Sequence, residues 1–327
     1  MSEMEPAVPC IQPKQDPNAV IPPKYDGLVD RADYEVVKRC VKEWGQVIRE
    51  RLKARMGLSS AVGRAAVGLS VNADVPDEMA RLIEVFTSPL LMFKMRRGLL
   101  VQGIEVDRQL LDFLQAFPAV AGLAGFTGAD EQTMGGYRSL LDRLLKFADG
   151  IAFREKFAEI DEDVLGSYKP AERQVAVYWI PLAIFSSSSG LDLEELTKVV
   201  LVHEYAHAFT HVGLDINNRR WGTKEFIRAD RLLTEGLAQF YTAEITSKMR
   251  RIDWRDDEVD AYATYERLLK YQSRMYHSHL PWMHEDTGLS GEAIRFALLE
   301  ARADQRYSDY TAFTELIQQN MARLESN

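Results

Sequence analysis

The stretch VVLVHEYAHAF, residues 199–209, constrains the fold of this chain more than any other segment. It is apolar on every face of a helix, and Glu204 is its only acidic or basic residue apart from two histidines. Such a helix must be buried almost completely, and burying an unpaired carboxylate is costly. A bound metal ion would offset that cost. The alternative interpretation is a core helix with two hydrogen-bonded histidines and a chance glutamate.

The two histidines of this stretch, His203 and His207, are four residues apart. On an α-helix this spacing is about 40° past one turn and about 6 Å of rise, so both imidazoles project from one face. Glu204 lies to the side of that pair, where its carboxylate reaches a water next to the ion without binding the ion itself. The H-E-x-x-H spacing therefore predicts two zinc ligands and a general base on one helix.

Zinc needs a third protein ligand, and both His211 and Glu235 are candidates. His211 would lie about 12 Å of rise beyond His203, which is too far to bind the same ion on a straight helix. The metalloprotease pattern with a third histidine requires glycine at 210 and histidine at 213, where this chain has Thr210 and Gly213. Glu235 is the better candidate, because it lies among apolar residues in LLTEGLAQFY, a predicted second helix.

HEYAH followed by TEGLAQFY resembles the zincin metallopeptidases of the glutamate-ligand type, the gluzincins. The resemblance covers residues 164–243. It implies that His203, His207 and Glu235 bind Zn²⁺ and that Glu204 takes the proton of a zinc-activated water. It also implies that the chain hydrolyses peptide bonds in a peptide or protein substrate.

The resemblance assigns roles to two further segments. Gluzincins have a β-sheet before the active-site helix, and its edge strand aligns the substrate; residues 173–180, RQVAVYWI, occupy that place here. Gluzincins also stabilise the developing oxyanion with a His, Tyr or Arg. The segment YHSHLPWMH offers four such groups, of which we favour His279 as the catalytic one: Tyr276, His277, His279 and His284.

Two other functions stay open on the sequence alone. The same site could hydrolyse a non-peptide amide, since the motif determines the chemistry and not the substrate. The chain could also be a zinc-stabilised interaction protein without turnover. Glu204 argues against that second alternative, because structural zinc sites are closed by four ligands and need no base.

Turn signals and hydrophobic periodicity divide the chain into three parts. Residues 1–28 are rich in proline and polar residues and are predicted to form a disordered arm. Residues 29–150 are predicted to form a helical subdomain, and residues 151–327 a zincin-like metallohydrolase domain. The helices predicted in the subdomain begin at Asp33, with a stop at Gly57, and continue at residues 77–86, 107–117 and 133–147.

The last part combines a hairpin with helices. A hairpin over residues 160–184 and a serine-rich loop over 186–190 precede a helix from Leu193 to about Val212, with Asp192 as its N-cap. Four more helices are predicted, over residues 227–249, 258–276, 291–303 and 310–324. The fold class is therefore α+β and mainly helical. It comprises a small sheet, the active-site helix and the glutamate helix, with an N-terminal helical subdomain.

Composition argues against several kinds of partner. A net charge of −9 over 327 residues and a pI near 5.3 disfavour nucleic acid and anionic membrane surfaces, which need clustered Lys and Arg. The two cysteines, Cys10 and Cys40, provide neither a disulfide framework nor a Cys-rich zinc site. No apolar run reaches about eighteen residues, and the N-terminus does not resemble a secretory signal. We therefore expect a cytoplasmic protein; the sequence does not predict its oligomeric state.

Overall fold

The computed structural model of the protein describes residues 16–59, 67–88, 149–249, 260–283 and 288–326. These residues are mainly helical and include a three-stranded sheet, so the α+β class is confirmed at that level. The helices predicted at 107–117 and 133–147, residues 1–15 of the predicted arm, and His284 all lie outside the described residues.

The described elements follow in a fixed order along the chain. They are α1 (Arg31–Met56), β1 (Gly68–Asn72), α2 (Asp77–Thr87), a helical segment over 149–157, β2 (Gly166–Lys169), β3 (Gln174–Tyr178), α3 (Trp179–Ser189), α4 (Leu193–Val212), α5 (Thr223–Arg228), α6 (Arg231–Ser247), α7 (Ala261–Leu269), α8 (Gly288–Ala303) and α9 (Tyr310–Glu325). Short turns of 3₁₀-helix lie at Pro17–Ala19, Pro23–Tyr25, Arg274–His277, Leu280–Trp282 and Gln305–Ser308.

Helix α1 forms where the hydrophobic spacing predicts it. Asp30 caps its first turn by accepting hydrogen bonds from two backbone N–H groups, and Gly57 ends it in the left-handed conformation with φ 63°. The apolar face of α1, which includes Ile48 and Leu52, is fully buried. This face packs along α4, so the N-terminal part of the chain forms one wall around the helix that carries the histidines.

The sheet has the order β1-β3-β2, which corrects two expectations. The predicted hairpin is confirmed: β2 and β3 pair antiparallel, with Ser167 opposite Ala176. However, the prediction that residues 173–180 form the edge strand is wrong, because β3 lies at the centre and β2 at the edge. The other neighbour of β3 is the parallel strand β1, which the sequence analysis did not find within its helical subdomain. Residues 29–150 therefore contribute directly to the sheet of the predicted catalytic domain.

The predicted serine-rich loop is also wrong, because α3 continues through Ser189. Ser189 Oγ donates to Phe185 O at 2.6 Å, and Ser186 Oγ donates to Leu191 O at 2.7 Å. Hydroxyl groups that bond to backbone carbonyls in this way allow serines to occupy the last turn of a buried helix. The apolar residues before the serines, from Trp179 to Phe185, are all buried.

The remaining helices differ from the predicted ones mainly at their ends. Helix α6 begins at Arg231 after the N-cap Asp230, and the residues before it form the separate helix α5. Helix α7 ends at Leu269, well before the predicted end at residue 276. Helices α8 and α9 lie close to their predicted positions.

Residues 16–28 differ from the expected disordered arm. They form two 3₁₀ turns, Tyr25 is buried in the core, and Trp179 Nε1 donates to Asn18 O at 2.8 Å. The buried side chain of Tyr25 and the hydrogen bond from Trp179 thus hold this proline-rich segment against the rest of the protein. Within the described ranges, no helix is both long enough and apolar enough to cross a bilayer.

Candidate metal centre

Helix α4 is the central element of the site. Its N-cap Asp192 accepts a hydrogen bond from Glu195 N at 2.9 Å, as predicted, and every residue from Leu196 to Val212 is buried. The helix packs against α1, α6, α7 and the strands β2 and β3. The burial inferred from the apolar stretch is therefore confirmed.

His203, His207 and Glu235 meet where α4 packs against α6. The two Nε2 atoms are 3.1 Å apart, and Glu235 Oε2 lies 3.3 Å from Nε2 of His203 and 3.5 Å from Nε2 of His207. All three residues are buried. The structure thus brings the predicted ligand atoms into one compact triangle, which could hold a metal ion.

The dimensions of this triangle fit zinc. Ligand atoms about 2.0–2.2 Å from a tetrahedral zinc ion are separated from one another by roughly 3.3 Å, which agrees with the three distances above. Glu235 Oε2 is buried and has no hydrogen-bond donor among the described residues. Two imidazoles and one carboxylate are also a ligand set that catalytic zinc sites use. The donor set therefore suits an ion with one further coordination position.

The electrostatics of the triangle favour a cation. Burial alone would lower the pKa of His207, but the Glu235 carboxylate outweighs burial and raises it above the ordinary value. Burial alone would raise the pKa of Glu235, but the imidazoles of His207 and His203 hold it well below the ordinary range. The carboxylate of Glu235 and the imidazole of His207 thus stabilise each other's charged forms. A metal ion bound to the imidazoles would compete with protons for the same nitrogens.

Glu204 lies next to the triangle, within a second group of ligand atoms. One atom each of Asp163, His203 and Glu204 lie within 4.8 Å of one another. Glu204 is 2% exposed, and its Oε2 has no hydrogen-bond partner among the described residues. Burial raises the pKa of Glu204 well above its ordinary value, and the carboxylates of Asp163 and Glu235 raise it further. Tyr276 donates its hydroxyl hydrogen to Asp163 Oδ1 at 2.6 Å.

A cavity that is partly open to solvent reaches this group. Its apolar lining residues are Phe157, Ile160, Val164, Leu165, Val199, Val200 and Leu268. Its polar lining residues include Glu162, Asp163, His203, Glu204, Gln239, Gln272 and Tyr276. A substrate in this cavity would therefore contact both the predicted base and one predicted metal ligand.

The structure does not bring His279 to the cavity. Its Nε2 pairs with the Tyr265 hydroxyl at 2.8 Å, its Nδ1 lies 3.2 Å from Tyr276 O, and the side chain is fully buried. Burial lowers the pKa of His279 to about 4. His277 lies 2.8 Å from Leu269 O through its Nε2. Of the described members of this cluster, Tyr276 is the one that lines the cavity.

His211 also has other partners. Its Nδ1 pairs with the Tyr168 hydroxyl at 2.7 Å, its Nε2 with Thr223 Oγ1 at 3.1 Å, and its ring stacks on Phe226. Burial lowers its pKa to about 4. His211 is therefore a neutral core residue, and Glu235 takes the third position of the triangle.

Three residues near the site were not found from the sequence: Asp163, Gly166 and Arg231. Asp163 ends a short acidic run, Asp161–Asp163, directly before β2, and that run was a usable signal. Arg231 donates to Asp161 O, and its Nε lies 3.9 Å from Glu235 Oε1. Gly166 lies against Glu204 and Val200.

No protein-family model, curated protein or solved structure matches this chain. The functional assignment therefore depends on the motif and on the geometry of the site.

Proposed function

We propose that the protein is a zinc-dependent metallopeptidase. The observation that carries the proposal is the triangle formed by His203, His207 and Glu235, with the unpartnered carboxylate of Glu204 beside it at the wall of an open cavity. A structural metal site needs no unpartnered carboxylate beside its ligands at a cavity wall.

In this proposal His203, His207 and Glu235 hold Zn²⁺. When bound, zinc supplies Lewis acidity that lowers the pKa of water and polarises a carbonyl. Arg231 and the buried surroundings of α4 and α6 keep the three side chains in place.

Glu204 is the general base. Its carboxylate is buried, lines the cavity and has a free oxygen within the described residues, so it can accept the proton of an attacking water. Burial raises the pKa of Glu204, and a carboxyl group that holds a proton more tightly can also deliver it to the leaving amine.

Tyr276 is better placed than His279 to stabilise the oxyanion. Tyr276 lines the cavity and donates its hydroxyl hydrogen to Asp163 Oδ1, whereas both ring nitrogens of His279 have buried partners. If that hydrogen turns from Asp163 to the substrate carbonyl, the new hydrogen bond strengthens as negative charge develops.

The edge strand β2 favours a peptide over other amides. Leu165 O accepts a hydrogen bond from Tyr178 N of β3, so in an antiparallel ladder the N–H and C=O groups of the next residue, Gly166, point to the outer edge. Within the described residues no strand pairs with that edge, and Gly166 lines the cavity. An extended peptide could therefore pair with β2 while its backbone passes Glu204.

The decisive experiment compares Glu204→Gln with wild type for zinc content and for hydrolysis of a mixed fluorogenic peptide library. We expect Glu204→Gln to retain bound zinc and to lose about 10²–10⁴-fold in turnover, as expected for a lost acid–base group. Peptide hydrolysis that survives this substitution would show that the proposed base is wrong.

A second pair of variants tests the ligands. Glu235→Gln removes a charged ligand from the triangle, so we expect its zinc content to fall. Glu266→Gln, an exposed position on α7, should leave zinc content unchanged. If wild type binds zinc but hydrolyses only non-peptide amides, the substrate class is wrong; if it hydrolyses neither, the protein has a structural zinc site.

A further inference from the structure

Three carboxylates lie around His203 and His207: those of Asp163, Glu204 and Glu235. Glu235 belongs to the triangle, and the Arg231 guanidinium lies 3.9 Å from it. In the described part of the chain, no Lys or Arg forms an ion pair with Asp163 or Glu204, whose closest ligand atoms lie within 4.8 Å. A zinc ion bound in the triangle therefore leaves these two carboxylates without a cationic partner among the described residues.

The carboxylates of Asp163 and Glu204 lie close together, with one oxygen of each within 4.8 Å of the other. Glu204 Oε2 is buried without a hydrogen-bond partner among the described residues. Asp163 uses Oδ1 to accept the Tyr276 hydroxyl, so one oxygen is already held and oriented. The two residues come from different elements, the segment before β2 and helix α4, and both line the cavity. Two converging carboxylates with an adjacent imidazole are typical ligands of a divalent cation.

We propose that Asp163 and Glu204, next to His203, form a second divalent-cation site beside the zinc triangle, and that its occupancy inhibits the enzyme. An ion bound there takes the lone pairs of Glu204 that accept the proton during hydrolysis. The binding part of this proposal stands alone, whereas the inhibitory part rests on the proposed function.

The second site is expected to be the weaker one. His203 belongs to both groups of ligand atoms, so the two ions are close neighbours and repel each other. The triangle also offers two imidazoles, which zinc prefers over carboxylate oxygens alone. Zinc should therefore fill the triangle first and the Asp163–Glu204 site only when zinc is in excess.

Zinc binding to the full-length chain tests the site, by equilibrium dialysis at increasing free Zn²⁺ followed by elemental analysis. Wild type should bind two ions, the second at least about tenfold more weakly. Asp163→Asn should bind one, because asparagine retains an oxygen that accepts the Tyr276 hydroxyl but loses the charge. Asp161→Asn makes the same change at an exposed carboxyl two residues away and should still bind two.

Two results would overturn the second site: a single ion in wild type at all zinc concentrations, or a second ion that persists in Asp163→Asn. Glu204→Gln provides an independent check if Asp163→Asn does not fold. It removes the other carboxylate and should likewise bind only the first ion.

Hydrolysis tests the inhibitory role separately. Excess Zn²⁺ should slow wild type over the concentration range in which the second ion binds, and residual activity of Asp163→Asn should resist that excess. Two bound ions without any peptide hydrolysis would refute the proposed function and leave the second site intact. Hydrolysis that is insensitive to excess zinc in a protein with two bound ions would refute the inhibitory role.

Discussion

Gly166 of β2 lies directly against Glu204 of α4. A methyl group on Gly166 would come within 3.0 Å of Glu204 Cγ and within 2.8 Å of Val200 Cγ1. Only glycine allows the edge strand to approach the helix so closely. The absence of a side chain at position 166 therefore sets the distance between the proposed base and the strand that would align a peptide.

Gly166→Ala tests this contact. The added methyl group must displace Glu204 or β2, so we expect a loss of about 1–3 kcal/mol in the free energy of unfolding. Turnover should fall more than zinc content does, because the three ligands lie elsewhere. Denaturant unfolding, metal analysis and peptide hydrolysis measure the three quantities.

Gly45→Ala is the matched control for that substitution. A methyl group on Gly45 would meet Leu69 Cδ2 at 3.4 Å, an ordinary contact, and alanine favours the helical conformation of α1. We expect stability and activity close to those of wild type. An equal loss of turnover in both variants would mean that the Gly166–Glu204 contact has no specific role.

Tyr276→Phe tests the proposed oxyanion partner. It removes a hydroxyl and little volume, so we expect kcat to fall about 10²–10³-fold with a smaller change in KM. Tyr178→Phe is the control, since that hydroxyl bonds Ser167 Oγ at 2.7 Å and does not line the cavity. Unchanged kcat in Tyr276→Phe would show that its hydroxyl does not stabilise the oxyanion.

The grouping of His203, His207 and Glu235 was predictable because most of it depends on local geometry. A spacing of four residues on one helix fixes the relation of His203 to His207, whatever the rest of the fold. Glu235 was identified because a carboxylate among apolar residues in a predicted helix requires a cation. The structure confirms that these three residues are buried together.

The surroundings of the triangle depend on contacts that sequence spacing does not encode. Strand order placed β3 at the centre because a parallel partner, β1, comes from a distant part of the chain. Asp163 acquires its position from the fold of the segment before β2. Tyr276, and not His279, lines the cavity because of the way the chain folds at and after the 3₁₀ turn Arg274–His277. The clustering of polar residues in the sequence does not reveal which of them faces the cavity.

Arg302 holds the C-terminal end of the helix that carries the histidines. Its guanidinium donates to the carbonyls of Phe209, Thr210 and Gly213 at 2.6–2.8 Å. Phe209 O also accepts from Gly213 N at 3.0 Å, but the last carbonyls of a helix generally lack N–H donors of the helix itself, and a cation there also interacts favourably with the helix dipole. Arg302→Met should therefore destabilise the protein by about 3 kcal/mol in denaturant unfolding.

Two comparisons show whether the charge of Arg302 or its shape matters. Arg302→Lys should recover only part of the loss, because an ammonium group cannot reach three carbonyls in the geometry of a guanidinium. Arg306→Met removes an exposed arginine four residues later and should leave stability unchanged. Full recovery by lysine would indicate that charge alone accounts for the effect.

His211 should make the stability of the protein depend on pH. Burial, assisted by the charges of Arg173, Arg220 and Arg302, lowers its pKa to about 4, whereas an unfolded histidine titrates near 6.5. Between those values the unfolded chain binds a proton that the folded chain does not bind. Stability is therefore complete above pH 6.5 and falls as the pH decreases toward 4, by at most about 1.4 kcal/mol per pH unit for this residue.

His211→Gln isolates this effect from other titrating groups. Glutamine can still donate to or accept from Tyr168 and Thr223 but binds no proton. The advantage of wild type over the variant in the free energy of unfolding should thus shrink as the pH is lowered from 7 to 4.5. NMR titration of the histidine rings provides the direct reading, with a midpoint near 4 for His211. A midpoint near 6.5, or a constant difference between the two proteins, would mean that His211 is accessible to protons in the folded state.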